Sequence, residues 1–164
     1  MINRIRELFH YDPATGIFTR KIKTAPSTKV GEIAGYVRCD GYVLIKVDKK
    51  NIYAHRLAWL CFYGASAEKQ IDHINGIKSD NRIVNLRLAT LSQNQHNRTA
   101  YANNTSGYKG VMLDVSGKWM ARIKLNGKSH YLGTFDTPAD AHAAYIEAAT
   151  RMHGPFCNTN SAAE

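Results

Sequence analysis

Asp72 and His73 adjoin within the stretch from Gln70 to Arg98, which also holds Gly76, Asn85, Arg87 and Asn94. These residue types suit hydrolysis of a phosphodiester, which needs a base to activate water and a cation to stabilise the leaving oxygen. His73 can serve as the base. On an extended segment consecutive side chains alternate faces, so Asp72 turns away from His73. A carboxylate oxygen suits one hard divalent cation such as Mg²⁺. Asn94 offers a second oxygen, its amide carbonyl. Asn85 can accept from or orient the His73 ring, as groups behind a ligand or base do. An Asp-His pair alone is most often a turn or surface pair, and Asn-rich loops usually form side-chain turns. The ordered set is what favours chemistry here.

The elements needed to position this set are legible. Gln70 to Asp72 reads as a short strand, Ile74-Asn75-Gly76 as a turn and Leu86 to Thr90 as a returning strand. Thr90-Leu91-Ser92-Gln93 has the form of a capping box, which predicts a helix with Asn94 in its first turns. His96 then lies about 200° around that helix from Asn94, since each residue turns about 100°, and is expected to face solvent or DNA. His55 is ambiguous, reading as a structural histidine at a helix start more readily than as a ligand.

These residues resemble the HNH family of ββα-metal endonucleases, in particular the phage and intron homing type. The matching pieces are Ala54-His55-Arg56-Leu57-Ala58, Ile71-Asp72-His73-Ile74-Asn75-Gly76, Asp80-Asn81-Arg82, Asn85-Leu86-Arg87 and Gln93-Asn94. The resemblance implies His73 as general base, Asp72 and Asn94 as metal ligands, and Asn85 as the residue that orients the base. It implies one Mg²⁺ or Mn²⁺ per site. Asn94 stands where many members carry histidine, which keeps the ligand set hard. Arg87 and Arg98 are candidates for neighbouring phosphates.

The chain has 164 residues, 22 Lys or Arg against 13 Asp or Glu, and a net charge of +9. Such an excess suggests a polyanionic partner. Residues 1–102 carry a net +8, 103–128 a net +4 and 129–164 a net −3, by counting charged side chains. No run of about 18 apolar residues suggests a membrane span. The first residues lack the pattern of a signal peptide, so a cytoplasmic location is expected, as for a phage or mobile-element protein in its host cell. Cys39, Cys61 and Cys157 are odd in number and far apart, which disfavours a zinc site or a disulfide framework.

The lead-in to the site reads as strand-rich. Ile2 to Phe9 predicts a short helix, Tyr11 to Gly16 a turn, and Ile17–Arg20, Tyr36–Arg38 and Tyr42–Val47 strands. A hairpin turn at Asp48 to Asn51 leads to Ile52–Ala54, and His55 to Phe62 predicts a helix stopped by Gly64. Lys21, Lys23, Lys29, Arg38 and Lys46 are candidate phosphate contacts. Asn97 to Ser106 reads as a linker, with a domain boundary near 103.

Beyond it, Tyr108–Leu113, Lys118–Leu125 and Lys128–Phe135 are strand-length runs, the last two separated by Asn126-Gly127, a hairpin signal. Trp119, Ala121, Ile123 and Leu125 alternate with Lys118, Met120, Arg122 and Lys124. Thr137-Pro138-Ala139-Asp140 opens a helix, and Ala141, Ala144, Tyr145, Ala148, Ala149 and Met152 recur at helical spacing. One sheet face is therefore expected on the helix and the other free and cationic. These runs resemble the APETALA2, or ethylene-response-factor, DNA-binding domain, through Ser106-Gly107-Tyr108-Lys109-Gly110-Val111, Gly117 to Ile123, Leu132 to Thr137 and Ala143-Ala144-Tyr145. The resemblance implies a three-stranded sheet in the DNA major groove, with contacts from Lys109, Arg122, Lys124 and Tyr131. Met112 and Ser129 stand where plant members often carry arginine.

The expectation is an α+β chain with two domains. Residues 1–102 would form a ββα-metal HNH nuclease domain with a strand-rich lead-in. Residues 103–164 would form a three-stranded antiparallel sheet packed on one helix. The function expected is site-specific, metal-dependent cutting of double-stranded DNA by a monomer. The alternatives are a non-catalytic DNA-binding transcriptional regulator and a basic RNA-binding protein. The second is disfavoured because single-strand readers display aromatics on the open sheet face.

Overall fold

The computed structural model describes residues 1–97, 104–125 and 127–157 as a mixed α and β chain of small antiparallel sheets, with four α-helices among the described residues. It divides into two compact units, Met1–Thr90 and Leu91–Glu164.

In the first unit, α1 (Ile2–Leu8) leads into the hairpin β1 (Phe9–Asp12) and β2 (Ile17–Arg20). A three-stranded sheet follows, β3 (Tyr36–Val37), β4 (Val43–Val47) and β5 (Lys50–Tyr53), in that spatial order. Helix α2 (Ala54–Tyr63) starts directly after β5 and ends at Gly64, whose φ of 75° is the left-handed stop expected from the sequence. The hairpin β6 (Gln70–His73) and β7 (Leu86–Ala89) completes the unit, with a single 3-10 turn at Ile83–Asn85 between them. One core joins these pieces. Ile5, Leu8, Phe9, Phe18, Ile45, Leu57, Ala58, Ile71 and Leu86 are all buried in it. Helix α2 presents Leu57, Ala58 and Leu60 to that core, so the residues at its N-terminus are held rigidly.

The turn between β4 and β5 is tighter than expected. Asp48 and Lys49 both have positive φ, 43° and 69°, in a two-residue connection. Lysine tolerates this region poorly. The Arg4 guanidinium holds the turn through Asp48, with Nη2 2.9 Å and Nε 3.1 Å from its carboxylate oxygens.

The second unit holds α3 (Leu91–His96), the sheet β8 (Val111–Leu113), β9 (Trp119–Leu125) and β10 (Lys128–Phe135), and α4 (Pro138–His153). The spatial order is β10-β9-β8, all antiparallel. Helix α4 lies on one sheet face. Ile123 packs with Tyr145, Ala148 and Ala149, and Val111 and Ala121 pack with Ala141. Thr137 caps α4, its Oγ1 accepting from the Asp140 N–H at 3.1 Å, with Pro138 at the first position. Trp119 packs against this core as the alternation requires. A register shift between Tyr131 and Gly133 lets Leu132 join the core while Tyr131 stays 61 % exposed.

The first of these strands is shorter than expected, because side chains tie down the residues before it. Asn104 Nδ2 donates to the Tyr108 carbonyl at 2.7 Å, and Ser106 Oγ donates to the Tyr108 and Val111 carbonyls. The two compact units divide at Thr90/Leu91. Helix α3 packs on the turn at Gly154–Phe156, and the His96 and His153 rings stack at 3.7 Å. His96 therefore faces His153, a correction to the solvent or DNA role expected for it. Asn126 of the expected hairpin turn lies outside the described residues.

Candidate active site

The β6/β7 register places Asp72 opposite Arg87 and His73 opposite Leu86. Directly opposed residues share a face, so the Asp72–Arg87 pair follows from the register. Arg87 Nε donates to Asp72 Oδ2 at 2.8 Å, and Nη2 lies 2.8 Å from the same oxygen. Both side chains are largely buried. Arg87, expected to contact phosphate, thus turns inward as the charge partner of Asp72. A buried charge is costly without such a partner.

His73 is 4 % exposed. Its Nε2 lies 3.4 Å from Asn81 Oδ1, while Asn81 Nδ2 donates to the Ser79 carbonyl at 3.0 Å. The second bond fixes the amide orientation, so the oxygen faces the ring. An oxygen can only accept. A ring protonated on Nε2 would satisfy that oxygen. Burial lowers the His73 pKa, opposed by the Asn81 hydrogen bond and the Asp72 charge. The net lowering disfavours the imidazolium form of the ring.

Asn85 serves the loop that carries Asn81. Its Oδ1 accepts from the Asn75 N–H at 3.0 Å and its Nδ2 donates to the Asp80 carbonyl at 2.9 Å. Both ends of the amide are engaged there. Asp80 ties the same loop through Asn75 Nδ2 at 2.8 Å and Arg82 Nη2 at 2.6 Å, and the Arg82 hydrogen bond holds its carboxyl down at about 2.

The first hairpin braces this loop from outside. Tyr11 donates its hydroxyl to the Asn81 carbonyl at 2.8 Å, and the Ile83 N–H donates to the Pro13 carbonyl at 3.1 Å. Gly16, with φ of 74°, sits where any Cβ would collide with the Asn81–Arg82 backbone.

A wall of rings completes the site. His55 and His73 meet at 5.2 Å between centroids and 84° between planes. Tyr53 stacks on His55 at 5.3 Å, and Tyr42 lies 5.4 Å from His55 and 5.9 Å from His73. Asn81 and this wall were not assigned roles from the sequence. Asp80-Asn81-Arg82 was a visible motif, but nothing local indicated which amide would reach the ring.

Asp72 offers a carboxylate and Asn94 an amide oxygen, each a donor type suited to a hard cation. Asn94 is half-buried on α3, in the second unit. Among the described residues, no group of three or more His, Cys, Asp or Glu side chains gathers as a metal site. A cation with so few protein ligands keeps water and phosphate oxygens in its shell, as Mg²⁺ ordinarily does.

Of the residues expected at DNA, Arg122 and Lys124 are exposed on β9. Tyr131 pairs opposite Arg122 and Ser129 opposite Lys124, so all four share the face turned away from α4. Lys109 is placed differently. Its amine donates to the His96 carbonyl at 2.6 Å, and burial lowers its pKa. Arg98 lies outside the described residues. In the first unit, Lys23 and Lys46 line a cavity of about 740 Å³ with Arg4, Arg20 and Lys49, whereas Lys21 donates to the Arg6 carbonyl at 2.9 Å.

Comparison with known proteins identifies two stretches of the chain. Residues 52–96 match the family model described as HNH endonuclease, and residues 106–155 match the one described as AP2 domain. The chain therefore carries an HNH endonuclease domain followed by an AP2 domain. Curated relatives include APETALA2-like protein 2 of Oryza sativa subsp. indica, 44 % identical over 38 % of this chain and 15 % of its own length. Dehydration-responsive element-binding protein 2A of Arabidopsis thaliana is 40 % identical over 35 % of this chain and 18 % of its own. Ethylene-responsive transcription factor ERN3 of Medicago truncatula is 38 % identical over 42 % of this chain and 30 % of its own. The chain thus spans less than a third of the length of each of these relatives. No solved structure matches the chain.

Proposed function

We propose that this chain is a site-specific, divalent-metal-dependent DNA endonuclease of the homing type, encoded by a phage or mobile element and acting as a monomer. Residues 1–102 cut, and residues 103–164 select the site on double-stranded DNA. The observation that carries the reading is the buried His73, with Nε2 3.4 Å from Asn81 Oδ1, beside the buried carboxylate of Asp72.

His73 Nδ1 takes a proton from water as that water attacks phosphorus. The P–O3′ bond then breaks, leaving a 5′-phosphate and a 3′-hydroxyl that gains its proton from solvent. Asn81 keeps the ring in the basic tautomer, and Asn85 keeps Asn81 in place. Mg²⁺ or Mn²⁺, held by Asp72 and Asn94, would supply charge stabilisation to the phosphate and the leaving oxygen. Arg87 orients the Asp72 carboxylate through their ion pair. Arg122, Lys124 and Tyr131 read base edges from the open sheet face, as a small sheet can in a major groove.

The test is nicking of supercoiled plasmid in Mg²⁺ by the parent and by His73→Ala. Cutting by the parent and loss in the variant support the reading. Equal activity in both refutes the base assignment. A second reading, a non-catalytic DNA-binding regulator, is favoured by the names of the curated relatives, two of which denote a transcription factor or an element-binding protein. Tight binding to duplex without cutting in Mg²⁺ or Mn²⁺ would establish it.

A further inference from the structure

His55 is the buried polar group at this site that the mechanism above does not use. It is the second residue of α2, and the helix is anchored in the core by Leu57, Ala58 and Leu60. The ring is 8 % exposed, and its Nδ1 is buried with no hydrogen-bond partner among the described residues. A phenylalanine would fill the same place between Tyr42, Tyr53 and His73 without stranding a nitrogen. An unsatisfied buried polar atom calls for an explanation.

The tautomer supplies one. A sealed, unpartnered N–H is disfavoured more than a sealed lone pair. Nδ1 therefore holds the lone pair and Nε2 holds the proton. Burial, with the neighbouring His73, pushes the pKa down to about 3, so the ring stays neutral across the working range. The result is a fixed neutral N–H donor on a ring in contact with the base.

We propose that His55 is a second catalytic residue, donating its Nε2–H to a non-bridging oxygen of the scissile phosphate while His73 takes the proton from the attacking water. The inference rests on the nuclease reading above. Attack requires the water and phosphorus to approach to about 3 Å, so the phosphate must lie beside His73 and hence beside a ring only 5.2 Å from it. The phosphate oxygens gain negative charge in the transition state, when a preorganised donor acts most strongly. Neutrality matters as well. His73 becomes cationic during the step, and a second cation in ring contact would oppose that change.

Two substitutions separate donor from wall. His55→Phe keeps the ring packing and removes both nitrogens, whereas His55→Gln restores an N–H. Single-turnover nicking of plasmid in Mg²⁺ should fall about 10²–10³-fold in His55→Phe, the usual loss for one such donor. Its melting temperature should hold or rise, and binding to a random-sequence duplex should change less than threefold. His55→Gln should recover at least tenfold of the lost rate. Cutting by His55→Phe within threefold of the parent would overturn the proposal, and so would a His55→Gln rate no better than that of His55→Phe. A readout independent of cleavage is imidazole ¹⁵N NMR of the His73→Ala protein with and without a short random-sequence duplex. A neutral Nε2–H tautomer that shifts on binding is expected. An Nδ1–H tautomer, or no shift on binding, overturns the role of His55 whether or not the parent cuts. A parent that fails to nick in any divalent metal overturns the nuclease reading instead.

Discussion

Asn81→Ala tests whether a loop amide sets the chemistry of His73. The bond from Nε2 to Oδ1 is long, 3.4 Å. An ordinary neutral hydrogen bond is worth about 0.5–1.5 kcal/mol net. Taking about 1 kcal/mol as the share that holds the ring in place gives roughly fivefold in rate, since about 1.4 kcal/mol is tenfold. Without the acceptor the two neutral tautomers also mix, which removes about another factor of two from the basic form. A fall of about tenfold in single-turnover rate is therefore expected, with duplex affinity unchanged. That is well short of the roughly 10²–10⁴-fold expected for His73→Ala. The pH profile carries the sign. The Asn81 hydrogen bond raises the His73 pKa against the lowering by burial. Its removal moves the acid limb of the profile to lower pH. Asn81→Asp places a negative charge there and should move the limb up by about 1–3 units. The assay is plasmid nicking in Mg²⁺ across the acid to neutral range, with melting temperature as the control for folding. Rates within twofold of the parent in Asn81→Ala, or limbs that move in the opposite order, would refute the assignment of Nδ1 as the base.

Other perturbations follow from the same contacts. Asp72→Asn, which preserves an acceptor for Arg87, should abolish metal-dependent nicking without unfolding the protein. Asp72→Ala should also destabilise it by about 3–5 kcal/mol, because it strands a buried guanidinium; equal stability of the two variants by urea denaturation would contradict the pairing. Arg122→Ala should cost about 1–3 kcal/mol on a preferred duplex if it makes a bidentate guanine contact, and much less on random DNA. An equal loss on both would mean that Arg122 only grips phosphate. The first unit should be acid-sensitive, because burial holds the His55 pKa at about 3, below its ordinary 6.5. The unfolded chain then binds more protons between those values, so this stability is present above pH 6.5 and lost as pH falls toward 3. The slope is about 1.4 kcal/mol per pH unit, or roughly 2 kcal/mol between pH 6.5 and 5. Urea titration followed by Trp59 fluorescence in a Trp119→Phe background reports this unit. A slope unchanged by His55→Phe would disprove the attribution.

Much of the molecule was determined locally. The alternation of Trp119, Ala121 and Ile123 placed β9 against a helix, and Thr137-Pro138 with the alanine spacing placed α4. Gly64 stopped α2, and the turn after His73 returned the chain as β7. The chemical types of Asp72, His73 and Asn94 were legible for the same reason, since residue type and order need no fold to be read. Tertiary structure alone decided their partners. Tyr11 reaches Asn81 across 70 residues of sequence, and His55 meets His73 from a separate helix. Arg87 turned onto Asp72, and Lys109 onto the backbone of α3. A flexible cation or amide has several partners compatible with its position in the sequence. Which one it takes depends on burial, where an unpaired charge or amide is costly and the nearest complementary group satisfies it. That group is supplied by whichever distant segment packs alongside, so no local pattern can name it.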